Sequence, residues 1–411
     1  MTLLGMRTED PIQSAGRTTP RVTWRGVTLF ISLLVFVAYA SYALQQRRDG
    51  FNFKIYRYFS GLYWKGENPY RPPAVTIHDV NESYRASRYL DYSGAQLVIY
   101  NAAIFLTDHY GVQGLVLYSL LMLFIALILA YRLSALQVLS MQEYVLLMIL
   151  LLSPYLWYRL FFYSYEDKAF YILLPLALLY ARAKSHNAAG LLLGVASGLS
   201  GIAAALYPLL ALSILLDPAQ PPAIRYRALL TATALALVGA VLALLPFFPD
   251  SLLGWSRRAS LEGGSPAWYS FLHLLNGAYV PGLNGVFILA GCLLVYALFA
   301  VGQLEFKTAI ILVMSFFFMF SVQMGAQRIV PFVVVLVIAF RHRLPRLTYF
   351  AISFVLLLVF LFLDRSRAFF QVYPETLAVA QVKSIILLSP MVLGYLLIAL
   401  DSSYPRGRLQ T

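Results

Sequence analysis

Apolar runs of about 17–25 residues, the length that crosses a bilayer as a single helix, recur along this chain from Val27 to Leu400. A backbone group cannot stay unpaired in hydrocarbon, so runs of this kind must fold as helices that satisfy their own N–H and C=O groups. The remainder of the sequence cannot offset them. Only 12% of the 411 residues are charged and 60% are hydrophobic, whereas a soluble domain carries about a quarter charged residues. The fold expected is all-α: a polytopic integral membrane protein forming one transmembrane domain over residues 1–411.

The spans are placed at Val27–Gln45, Val112–Tyr131, Glu143–Leu160, Ala169–Ala181, Ala228–Pro246, Asn284–Val301, Thr308–Val322, Ile329–Phe340, Thr348–Leu363 and Ser384–Leu400. The run Ala188–Leu216 is too long for one helix and is interrupted by Gly198, Ser200, Gly201 and Pro208, so it reads as two short helices meeting at a polar kink. The total is about twelve. Gly94–Thr107 is apolar but short, and Asp108-His109-Tyr110 follow it. It is expected to lie in the interface or re-enter partway without crossing.

Lys and Arg hold connections on the cytoplasmic side. With the tail 1–26 and its Arg7, Arg17, Arg21 and Arg25 inside, the next inside segments hold Arg132, then Arg182 and Lys184, then Arg225 and Arg227, then Lys307. Arg341, Arg343 and Arg346 come next, and Arg406 and Arg408 lie in the tail 401–411. Every inside segment is basic, so both termini are expected in the cytoplasm of a multi-pass plasma membrane protein. The net charge of +13 is spread between spans and forms no contiguous basic domain, so no nucleic-acid partner is expected. Val27–Gln45 is long for a signal-peptide core and reads as a retained helix.

Soluble-enzyme motifs are absent: there is no Walker loop, no dinucleotide fingerprint and no His-x-x-His pair. The five histidines are dispersed and the one cysteine is Cys292. No cofactor and no metal ligand set are expected. Chemistry must come from the polar segments at the other face, of which two are long: the first outer loop, 46–111, and the loop 247–283. Asp49, at the end of the first span, reads either as a general base for an acceptor hydroxyl or as a solvated helix-end residue paired with Arg47 or Arg48. Tyr56, Tyr58, Tyr63, Trp64 and Tyr70 read either as sugar-stacking rings or as an interfacial aromatic belt. Tyr165-Glu166-Asp167-Lys168 offers a second acid, an acceptor-orienting pair, a place for a divalent cation, or a helix cap. Arg257, Arg258, His273, Gln327 and Arg328 form a cationic set suited to a phosphate leaving group, although an Arg at a helix end also snorkels without function.

The run Asn52-Phe53-x-x-Tyr56 … Gly66-x-Asn68-Pro69-Tyr70 resembles the first outer loop of GT-C-fold glycosyltransferases. It is most similar to the mannosyltransferase-like branch that uses polyprenyl-phosphate sugars. Ser265-Pro266-x-Trp268-Tyr269-Ser270-Phe271 and the kinked pair Gly190–Leu215 resemble two further segments of that family. Aligned on Asn-Pro-Tyr, the family's motif aspartate falls on Asn52, and Asp49 is the nearest acid. The hairpin's usual lysine is missing near Ser200–Tyr207. The resemblance implies a GT-C-like fold with helical outer loops. It also implies transfer of a sugar from a polyprenyl-phosphate donor to a lipid- or glycan-linked acceptor. Asp49, with Asp167 or Glu166, would take the catalytic role; Asn52, Tyr56, Tyr70, Tyr92 and Lys168, with the cationic set, would hold substrate and donor. The competing class is a polytopic transporter or a lipid or oligosaccharide flippase, which kinked short helices also suit.

Overall fold

The computed structural model describes residues 23–45, 51–71, 76–78, 83–85, 93–136, 139–152, 173–199, 201–254 and 283–320. Its helices are α1 Trp24–Gln45, α2 Phe51–Trp64, α3 Gly94–Tyr110, α4 Gly114–Ala135, α5 Met141–Leu151, α6 Leu173–Arg182, α7 His186–Leu199, α8 Gly201–Leu215, α9 Pro222–Leu244, α10 Leu283–Ala300 and α11 Phe306–Phe320. Between α2 and α3, β1 Thr76–His78 pairs antiparallel with β2 Ser83–Arg85, with Ile77 opposite Tyr84. Among the described residues the chain is therefore helical apart from one short hairpin. Among the described residues, three helices are long and apolar enough to cross a membrane: Trp24–Tyr42, Gly114–Ala135 and Pro222–Leu244. The expected spans Ile329–Phe340, Thr348–Leu363 and Ser384–Leu400 lie outside the described residues.

Helix ends follow local chemistry. Ser93 and Gln96 form a reciprocal capping box at the start of α3, and Gly111 ends that helix in the left-handed conformation at φ 64°. Ser140 and Glu143 do the same for α5, with Ser140 N–H donating to Glu143 Oε2 at 2.8 Å. Glu143 is thus a buried cap, and its helix begins two residues before it. Pro222 opens α9 at a position where its missing N–H goes unneeded. Arg225 and Arg227 therefore stand in the first turns of that helix.

The closest packing in the bundle joins α7 to α9. Gly190 lies over Ala232, Gly194 over Ala236, and Gly198 over Ala240 and Ala243. The pairs rise together in number, so α7 and α9 run parallel. A Cβ placed on Gly194 would sit 2.2 Å from the Ala236 carbonyl oxygen, so the backbones touch only because no side chain intervenes. Small residues spaced four apart are the usual means of such approach between apolar helices. The intervening α8, packed on both, must return in the opposite direction. Ala188–Leu216 is thus two helices, as its glycines suggested, and Pro208 lies inside the second.

These directions sort the connections. At one end, Lys184 Nζ in the α6–α7 turn reaches Asp217 in the α8–α9 turn at 2.8 Å. Arg225 Nη1 donates to the Leu215 carbonyl at 2.6 Å, closing the end of α8. The α10–α11 turn joins this end through a shared cavity wall. Tyr180 donates to the Leu129 carbonyl at 3.4 Å, which brings the Arg132 end of α4 alongside. The basic connections around Arg132, Lys184, Arg225 and Lys307 accordingly share one end.

The other end is crossed by α3. Gly94 abuts Pro246 just beyond α9, and Ala103 abuts Gly114 at the start of α4. α9 and α4 hold 23 and 22 residues, each about 33–35 Å long, so both reach the same level from the basic end. Lying across their tips, α3 spans the end of the bundle rather than its height.

Replacing Gly194 with Val should force the α7 and α9 backbones apart and destabilise the bundle by about 1–3 kcal/mol or more. Gly61→Ala, where no atom lies within 4 Å of the added carbon, should leave stability unchanged or raise it by about 1 kcal/mol. Thermal unfolding in detergent separates the two variants.

Candidate functional site

The Gly-x-Asn-Pro-Tyr motif forms a compact loop at the α3 end. Gly66 is left-handed at φ 74°. Its N–H meets the Tyr63 carbonyl at 3.0 Å, and the Glu67 N–H meets the Leu62 carbonyl at 2.9 Å, a Schellman closure of α2. Asn68 then works in two directions. Its Oδ1 accepts the Tyr70 N–H at 2.9 Å, and its Nδ2 donates to Asp250 Oδ2 at 2.6 Å. The Arg71 N–H returns to the Asn68 carbonyl at 3.1 Å, making a turn with Pro69 at its first corner.

Asp250 ties this loop to the segment after α9. Arg71 donates to its Oδ1 from Nη2 at 3.0 Å and from Nε at 3.3 Å. Beneath them the Phe247 ring meets Tyr70 at 5.9 Å and Tyr63 at 5.4 Å between centroids. Phe247 is itself left-handed at φ 64°, a conformation that costs a non-glycine residue about 1–2 kcal/mol. Its packing between the two tyrosines is what holds it there. Hydrogen bonds from Asn68 and then Arg71 keep the Asp250 carboxyl below the usual carboxylate range. A carboxylate so fully engaged is poorly matched to accept a proton near neutral pH; it clamps the loop.

The aromatic set divides by exposure. Tyr56 is buried and stacks on Tyr100 at 4.2 Å. Tyr70 is buried on Phe247, and its hydroxyl pKa is raised by that burial and by the charge of Asp250. Neither ring presents a face to solvent; both support the loop from within. Tyr63 and Trp64 are 39% and 61% exposed, so these two rings of α2 face outward. On the same layer Arg57 pairs with Asp108 of α3, an exposed contact of small energetic weight. Ser60 Oγ and both polar atoms of the Asn101 side chain are buried without a hydrogen-bond partner.

Of the other residues singled out from sequence, Asn52 falls within α2. Asp49, Tyr92, Glu166, Asp167, Lys168, Arg257, Arg258, His273, Gln327 and Arg328 lie outside the described residues. Asp250 was not anticipated. It stands 182 residues from Asn68, so no spacing links them. Its one sequence signal is that it is the sole acid between Asp217 and Glu262. Among the described residues no group of three or more His, Cys, Asp and Glu side chains is placed to hold a metal ion. No family model, curated protein or solved structure matches this chain.

The sign of the pH dependence follows from the lowered pKa. Asp250 is ionised in the fold at pH values where the unfolded chain already binds a proton, below about 4. Its contribution to stability is therefore full above that value and lost as pH falls through the lowered pKa. Asp250→Asn should unfold at a lower temperature than the parent at pH 7. The gap should narrow as the pH is taken below about 4.

Proposed function

We propose that this chain is a polytopic membrane glycosyltransferase that takes a sugar from a polyprenyl-phosphate donor and delivers it to a lipid- or glycan-linked acceptor hydroxyl on the outer face. The single observation that carries this reading is the motif loop itself. Each of Gly66, Asn68, Pro69 and Tyr70 has a distinct geometric role, and the loop is clamped to the first residues of the 247–283 segment. That arrangement supports a site assembled from the first and fourth outer loops. The loop lies at the end away from the basic connections, which supports an outward-facing site with about twelve spans and both termini in the cytoplasm.

In this reading the acceptor oxygen attacks the anomeric carbon while its proton passes to Asp49, assisted by Asp167 or Glu166. The bond from the anomeric carbon to the phosphate oxygen breaks, and the lipid phosphate leaves with its electron pair. Arg258 and Arg328 stabilise charge growing on that phosphate, with Arg257, Lys168, His273 and Gln327 on the donor side. Direct displacement inverts the anomeric centre. Asn52 and Tyr92 belong to the substrate side. Tyr56 and Tyr70 act by fixing the loop from beneath.

Asp49→Asn keeps shape and hydrogen bonding but removes the proton acceptor, so sugar transfer should fall by about 10²–10⁴-fold with donor binding nearly unchanged. Transfer from a polyprenyl-phosphate sugar in liposomes, at matched expression, measures this. Full activity in that variant moves the base to Glu166 or Asp167. No sugar transfer by the parent, with substrate still crossing the membrane, selects the transporter class instead.

A further inference from the structure

The basic end of the bundle carries an open cavity of about 690 Å³ between the α6–α7, α8–α9 and α10–α11 turns. Its walls are largely apolar, with Ala181, Leu216, Leu304, Phe299 and Phe306 among them. Its polar groups sit together at the α6–α7 and α8–α9 turns: Lys184, His186, Ser213 and Asp217. Three features point to what it holds. First, Lys184 occupies the position after α6 that normally takes glycine, with φ 56°. Its N–H bonds the Ala181 carbonyl, and that of Ser185 bonds the Tyr180 carbonyl, so a lysine is kept where a side chain is disfavoured. Second, the ammonium donates one hydrogen bond to Asp217, on a side chain that is still 57% exposed. Its remaining protons are available to an anion at the cavity mouth. Third, Arg132, Arg225 and Arg227 belong to elements that meet at this end and bias the local field positive, while Lys307 there is paired with Glu305 at 3.1 Å. Asp217 is engaged by Lys184 and by the Ala219 N–H, which offsets its repulsion toward a second anion.

We infer that this cavity binds the phosphate headgroup of an anionic phospholipid, with Lys184 and His186 on the phosphate and an acyl chain along the Phe299 and Phe306 wall. A free inorganic anion would use the same cation but would gain nothing from the apolar walls, which argues for lipid. Basic pockets between helices on the cytoplasmic side characteristically take such headgroups. The site is separate from the motif loop, at the opposite end of α9, and does not depend on the glycosyltransferase reading.

Lys184→Gly removes the ammonium while relieving the left-handed backbone, so the fold is expected to be retained. Ser213→Phe fills the cavity without altering charge. The full chain in detergent is titrated with phosphatidylglycerol, phosphatidylcholine or inorganic phosphate, and thermal unfolding and lipid retention by native mass spectrometry are followed. Phosphatidylglycerol should stabilise the parent and co-purify with it, and its apparent affinity should fall roughly tenfold in either variant, as expected for losing one charge-assisted contact or its space. An equal response to phosphatidylcholine, an equal response to inorganic phosphate, or an undiminished phosphatidylglycerol effect in both variants would overturn the assignment.

Discussion

The contact on which this architecture depends is the glycine–alanine seam between α7 and α9. Apolar helices in a lipid environment gain no hydrophobic driving force from meeting each other, so close backbone approach must supply the attraction. Gly190, Gly194 and Gly198 provide it against Ala232, Ala236 and Ala243. Because the seam is parallel, α8 must run back between its partners. The connections then alternate between two ends. One end gathers Lys184, Asp217, Arg225 and Lys307; the other brings the tips of α9 and α4 under α3.

At that second end the decisive interactions are polar. The motif loop, the tip of α2 and the segment after α9 are unrelated in sequence, and Asp250 is where they are joined. One carboxylate takes hydrogen bonds from Asn68 and Arg71, while Phe247 inserts its ring between Tyr63 and Tyr70. The loop is thereby held by contacts within this chain alone. A binding site gains from such preorganisation because less ordering remains to be done on binding.

Much of the helical frame was legible in sequence because apolar length and Gly, Ser and Pro interruptions report directly on helices. The division of Ala188–Leu216 into two helices was readable from its glycines. Boundaries were less so. α9 begins at Pro222, six residues before the expected Ala228, because Arg225 and Arg227 read as loop charges. Long cationic side chains can sit on a helix and still reach polar surroundings. Glu143 looked like a span boundary and is a buried cap. In the candidate site the Gly-x-Asn-Pro-Tyr run stood out, but the fates of its aromatics did not. Tyr56 and Tyr70 point inward and Tyr63 and Trp64 outward, a split that depends on α3 and Phe247 rather than on α2 alone. Asp250 was invisible because a contact across such a separation leaves no periodicity.

We propose that the motif loop and the basic connections lie on opposite faces of the membrane, with the loop outside. Cys292 is the sole cysteine and is buried, so single probes can be placed in a Cys292→Ala background. Glu67→Cys in the motif loop and Gln303→Cys in the α10–α11 turn are each treated in intact cells with a membrane-impermeant maleimide. Labelling of Glu67→Cys is expected in intact cells, and of Gln303→Cys only after permeabilisation. Labelling of both from the same side would contradict it.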